Sequence, residues 1–90
     1  MTKKVWKYPL EWTPDVRQEV QVPKGASFLT FADQDDTPVI WLLVQPGIGL
    51  ETRFFRLVWT GKPYNDRYLV EYRGTVTTPN GSVWHLMEEF

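Results

Sequence analysis

Pro38-Val39-Ile40-Trp41-Leu42-Leu43-Val44-Gln45 is an almost unbroken apolar run, opened by Thr37-Pro38 and closed by Pro46-Gly47. A run this short, rich in Val, Ile and Trp and bounded by proline, predicts a strand covered on both faces rather than a helix. It is the expected central strand. It contains no chemistry, and no catalytic motif stands elsewhere in the chain.

The segments on either side read as further strands. Lys4 to Leu10 places Trp6, Tyr8 and Leu10 on one side, and Pro9 confines it to an edge or an end. After the Trp12-Thr13-Pro14-Asp15 turn, Val16, Gln18, Val20 and Val22 alternate with Arg17, Glu19 and Gln21, the pattern of a strand with one wet face. Pro23-Lys24-Gly25 ends it. Ala26 to Phe31 is the next strand, and the acidic turn Asp33-Gln34-Asp35-Asp36-Thr37 lacks the glycine and terminal glutamate of a calcium loop. Beyond Pro46-Gly47-Ile48-Gly49, the segment Glu51 to Thr60 sets Phe55, Leu57 and Trp59 on one face and Phe54, Arg56 and Val58 on the other, so a single arginine interrupts two apolar faces. Leu69 to Thr77 alternates with Val70, Tyr72 and Val76 inward and Glu71, Arg73 and Thr75 outward, with Gly74 marking a bulge. Pro79-Asn80-Gly81 is a hairpin signal that returns the chain as Ser82 to Met87 before the acidic end Glu88-Glu89-Phe90. No capped amphipathic helix is present, so residues 1–90 are expected to form a single all-β domain. Its expected form is a roughly seven-stranded antiparallel meander making a small barrel or sandwich, with edges open to another chain.

Composition narrows the function classes. Ninety residues with a net charge of -1 carry no basic field for duplex nucleic acid. With no cysteine and one histidine, disulfides, thiolate sites and His-rich metal sites are excluded. No cofactor is expected. The first residues lack the apolar core of a signal peptide and no segment approaches the roughly 20 apolar residues of a membrane span, so no membrane association is expected and the cytoplasm is the expected compartment. A domain this small buries about two-thirds of its unfolded surface. An enclosed pocket of roughly 300 to 1,000 Å3 is large for such a core, which places any sizeable pocket between the subunits of a homo-oligomer.

The candidate site is a basic and aromatic region: Arg53, Arg56, Trp59, Lys62, Tyr64, Arg67 and Arg73, which holds half of the ten basic residues. Arginine grips phosphate through a planar fork and aromatic faces stack on bases, so the mixture suits a phosphorylated, base-containing small molecule. Its ordinary alternative is a solvated strand face with surface ion pairs. His85 shares a strand face with Val83 and Met87, where a lone histidine is a hydrogen-bonded structural group, a ligand contact or a general acid-base. Glu88, three positions on, points to the opposite face and forms no simple dyad with it. Gly47-Ile48-Gly49 leads into a strand, which rules out a helix-terminal phosphate site.

Lys7-Tyr8-Pro9-Leu10, Val22-Pro23-Lys24-Gly25-Ala26, Ile40-Trp41-Leu42-Leu43-Val44, Thr60-Gly61-Lys62-Pro63, Tyr72-Arg73-Gly74-Thr75 and Val83-Trp84-His85, in that order, resemble a family of small bacteriophage and prophage proteins of unassigned function. The chain departs from that pattern at Lys62, where the family turn has His, and at Trp59, where it has a small residue. The resemblance implies a phage-encoded accessory protein acting in the host cytoplasm. In size and context it is similar to the sponges that hold a host immune nucleotide, a cyclic dinucleotide or a cyclic ADP-ribose isomer, between subunits. The leading expectation is therefore a non-catalytic homo-oligomer that sequesters such a signal through Arg53, Arg56, Trp59, Lys62, Tyr64, Arg73 and His85. The alternatives are an enzyme that cleaves the nucleotide with His85 and an accessory that binds a protein.

Overall fold

In the computed structural model, residues 2–65 and 68–90 are described. They form seven strands and no helix: β1 (Lys4–Pro9), β2 (Arg17–Pro23), β3 (Ser27–Gln34), β4 (Thr37–Val44), β5 (Leu50–Trp59), β6 (Val70–Thr77) and β7 (Val83–Glu89). Every strand pairing is antiparallel, in a three-stranded sheet of order β1-β4-β3 and a four-stranded sheet of order β2-β5-β7-β6. The sheets do not close on each other, so the architecture is a sandwich and not a barrel. Its path departs from a simple meander. Only β3-β4 and β6-β7 are neighbours joined in succession; the chain changes sheets on leaving β1, β2 and β4.

The decisive apolar run is β4, the middle strand of its sheet. Ile40, Leu42 and Val44 are fully buried against Val22, Phe55, Leu57 and Leu86 of the other sheet, within one core that also holds Val20, Phe31 and Trp84. On the outward face Val39 is buried, but Trp41 and Leu43 are half-exposed, so β4 is covered fully on one face only. Asp35 and Asp36 both have positive φ, 50° and 68°, and close the β3-β4 hairpin between the paired Gln34 and Thr37. That is the backbone of a two-residue I′ turn, which aspartate tolerates.

The expected side-chain directions in β6 are corrected. In β6 the register shifts between Tyr72 and Gly74: Tyr72 lies opposite Met87, Gly74 opposite Leu86, and Arg73 is the inserted residue. Val70 and Tyr72 therefore share the outer face with Thr75, whereas Arg73 turns inward with Val76. Glycine fits this bulge because its φ is +145°, a backbone conformation that L side chains rarely adopt. The acidic end is part of the sandwich. Glu88 and Glu89 continue β7, paired with Phe55 and Phe54, and are 0% and 2% exposed.

All four sheet edges are blunted. β1 carries Lys4, Lys7 and Pro9; β2 carries Arg17, Glu19 and Pro23; β3 is bulged between Phe28 and Thr30, as β6 is at Arg73. Charge, proline and bulges oppose strand addition. Edge-to-edge pairing with another chain is thus disfavoured.

Candidate functional site

Side chains alternate along β7, so Glu88 enters the inner face of the larger sheet and Glu89 its outer face. On β5, Arg53 shares the inner face with Phe55, and Arg56 shares the outer face with Phe54. Each arginine thereby meets one glutamate. Glu88 accepts from Arg53 through Nε at 2.5 Å and Nη2 at 2.9 Å, and from Arg73 through Nε at 3.0 Å. The remaining Arg53 nitrogen, Nη1, donates to the carbonyl of Ala26, and the Arg73 guanidinium lies 5.4 Å from the centre of the Phe28 ring. The bulge in β6 is what brings Arg73 to this pair.

Outside the sheet, Glu89 accepts from Arg56 Nε at 2.8 Å, Arg56 Nη2 at 3.3 Å and the Tyr64 hydroxyl at 2.5 Å. Arg17 approaches it to 3.3 Å while its guanidinium lies over Phe54 and Tyr68, 3.8 and 4.3 Å from the ring centres. Arg56 also donates to the Asp15 carbonyl at 2.8 Å. Burial pushes the Glu89 carboxyl up, but the hydrogen bonds from Arg56 and Tyr64 and the charges of Arg56 and Arg17 outweigh it and hold the pKa below the ordinary value. Burial and the same hydrogen bond raise the Tyr64 hydroxyl well above its ordinary value, so it remains a donor.

A carboxyl with a lower pKa folded than unfolded contributes stability that is complete above the unfolded value, about 4.3 for glutamate, and is lost as pH falls through the folded value. The melting temperature of the native chain is therefore expected to drop as pH is lowered from about 5, and Glu89→Gln to flatten that part of the profile. Parallel profiles from the two proteins, followed by circular dichroism, would reject the assignment.

His85 sits on the outer face with Nε2 at 2.6 Å from the Thr60 hydroxyl and Nδ1 at 2.8 Å from the Thr75 hydroxyl, which is 2.5 Å from the Tyr72 hydroxyl. Both ring nitrogens are engaged, and neither partner is a carboxylate.

The predicted residues are thus not one site. Arg53 and Arg73 meet at Glu88, Arg56 and Tyr64 meet at Glu89, His85 belongs to a threonine pair, and Arg67 lies outside the described residues. Only Trp59 and Lys62 come together without an internal charge partner among the described residues. They line a cleft of about 300 Å3 with Pro14, Asp15, Val58 and Pro63. Trp59 is 39% exposed and packs edge-on to Trp84, with ring centres 5.2 Å apart. A larger cleft of about 490 Å3 is lined by Arg53 and Arg73 together with Glu51, Glu88 and Glu89, so two cations face three anions, whereas in the smaller cleft the anion Asp15 is paired with Arg56 at 3.4 Å.

Sequence reasoning missed Glu88, Glu89 and Arg17. The available signal was the demand of Arg56 for a carboxylate, together with an apolar strand running straight into two glutamates.

Comparison with curated proteins gives no match, and comparison with solved structures gives none. A family profile matches residues 1–90, the whole chain. The chain belongs to the DUF7352 family, a domain of unknown function.

Proposed function

We propose that the protein is a non-catalytic binding protein that holds a phosphorylated, base-containing small molecule at the Trp59-Lys62 cleft. We read it as a phage accessory in the host cytoplasm that sequesters a nucleotide immune signal of the cyclic dinucleotide or cyclic ADP-ribose type. One observation carries the reading: of the seven side chains picked out for this chemistry, Trp59 and Lys62 line the same cleft and keep their binding groups free. The indole offers a stacking face, the ammonium takes phosphate as a point charge, and Val58, Pro14 and Pro63 supply apolar walls. Phage origin rests on the resemblance of the motifs. Arg53, Arg56 and Arg73 leave the ligand shell in this reading and become scaffold, because their forks are filled by carboxylates.

A cleft of about 300 Å3 is at the lower bound for a ligand pocket, so a second copy is needed to enclose a dinucleotide. With the edges blunted, that copy would approach through a face. Calorimetric titration of the pure protein with cyclic dinucleotides and cyclic ADP-ribose isomers tests both points. Trp59→Ala should weaken binding by about 1 to 3 kcal/mol, the range of one stacked base. Lys62→Ala should weaken it by about 1.5 to 3 kcal/mol, the range of a hydrogen bond to a charged group. Absence of binding, or binding indifferent to both substitutions, overturns the assignment; a liganded monomer by light scattering removes the intersubunit pocket.

The 2.6 Å contact of the Thr60 hydroxyl with His85 favours a second reading, a nucleophile and base that cleave the ligand. It lacks the carboxylate that would steady the imidazolium, since Thr75 occupies the other nitrogen. Recovery of intact ligand after heating supports holding, whereas hydrolysed product at many turnovers per chain would install the enzyme.

A further inference from the structure

A second cleft of about 300 Å3 flanks Trp84 and is lined by Trp12, Asp36, Thr78, Asn80 and Ser82. Lys62 does not line it; the Trp84 indole meets Trp59 edge-on and Trp12 at a 46° tilt, with ring centres 5.2 and 5.1 Å apart. We infer that this cleft is a binding site for a neutral saccharide.

The chemistry of its walls selects that class. Trp12 donates its Nε1 hydrogen to the Asp36 carbonyl at 2.9 Å, so what the indole offers the cleft is carbon surface. Apolar ring surface of this kind packs against the C–H face of a pyranose. Asn80 accepts through Oδ1 from the Thr78 hydroxyl at 2.5 Å and from the Ser82 amide at 3.0 Å, which holds the turn. Its Nδ2 donors engage no described residue, nor does the hydroxyl of Ser82 or the carboxylate of Asp36. The free groups are thus donors and acceptors of the number and mixture that hydroxyls require. Among the described residues that line the cleft, Asp36 alone is charged. A phosphate would meet its charge with no cation to offset it, whereas an uncharged polyol would hydrogen-bond to it.

Two near-isosteric substitutions leave the turns intact. Asn80→Asp keeps the acceptor oxygen that organises the β6-β7 turn and removes both donors. Asp36→Asn keeps a side chain that tolerates the positive φ of 68° while removing the charge. Titration of 15N-labelled protein with a panel of neutral mono- and disaccharides, followed by indole and side-chain amide signals, should shift Trp12 and Asn80 and leave the Trp59 indole unmoved. Each substitution should weaken the apparent affinity about tenfold or more, as expected for loss of hydrogen bonding that involves a charged group or a paired donor. The inference is overturned if no saccharide moves these signals, if both variants bind as the parent does, or if choline chloride moves them where saccharides do not, which would make the site a cation cage. Because the Trp59 signal reports the other cleft, failure here is distinguishable from failure of the nucleotide assignment.

Discussion

Glu88→Ala is expected to destabilise the fold by about 3 to 5 kcal/mol, the range found when one partner is removed from a buried ion pair. The Glu88 side chain is 1% exposed, and the guanidiniums that flank it, Arg53 and Arg73, are 12% and 24% exposed. Truncation would leave two cations without the carboxylate that both of them hydrogen-bond, with only the more distant charge of Glu51 acting on Arg53, which would have little access to water. For a domain of this size each kcal/mol shifts the melting temperature by about 4 to 8 °C, so the midpoint should fall by more than about 10 °C. Out of a total stability of about 5 to 15 kcal/mol, the loss is large enough to unfold a marginal domain. Glu88→Gln should fall between, since it keeps the packing and loses the charge. Replacing all three side chains with apolar ones of similar length should come closer to neutral than Glu88→Ala, because no charge is then left behind. Urea denaturation decides it. A loss below about 1 kcal/mol, the scale of an exposed pair, would mean that both arginines reach solvent and that the cluster does not hold the sandwich end.

The same cluster shows where local reading of the chain succeeds and where it stops. β2 was legible because Val20 and Val22 alternate with Arg17, Glu19 and Gln21 and nothing interrupts the pleat. The hairpin turns were legible because Asp35-Asp36 and Asn80-Gly81 state their backbone geometry in their residue types. β6 was legible as a strand with a bulge, but not in phase. Gly74 announces an irregularity without saying on which side the extra residue falls, and that one residue decides whether Arg73 meets water or Glu88. The two glutamates were illegible for a different reason. Adjacent charges after an apolar strand do not announce their partners, and only the register of β7 on β5 places one on each face beside its arginine. The surroundings of the candidate residues were illegible along with them: a run of arginines and aromatics has the composition of a phosphate site, and pairing across 33 to 35 residues sets Arg53 and Arg56 against carboxylates.

Phe55→Ala should be as damaging as the loss of Glu88, about 3 to 5 kcal/mol, through packing and not charge. Phe55 has no exposed surface and is among the largest wholly buried side chains, at the centre of β5 against Ile40, Leu42 and Leu86 of the core. Removing its ring takes away the transfer free energy of the buried carbons and leaves a cavity that two paired sheets cannot collapse to fill. Trp59 occupies the same face of β5 four residues on, yet it is 39% exposed at the rim. Its alanine substitution loses the edge-on contact with Trp84 and little else, about 0.5 to 1.5 kcal/mol for an aromatic pair. The two substitutions therefore separate what one strand face does for folding from what it does for binding. Phe55→Ala is expected to lower the urea midpoint sharply, and any binding it loses should return when ligand is titrated under conditions that keep the variant folded. Trp59→Ala should keep a midpoint near that of the parent while losing affinity for the nucleotide proposed to bind there. If Trp59→Ala instead unfolds the chain as Phe55→Ala does, the indole is core, the cleft beside Lys62 loses its stacking surface, and the binding assignment goes with it.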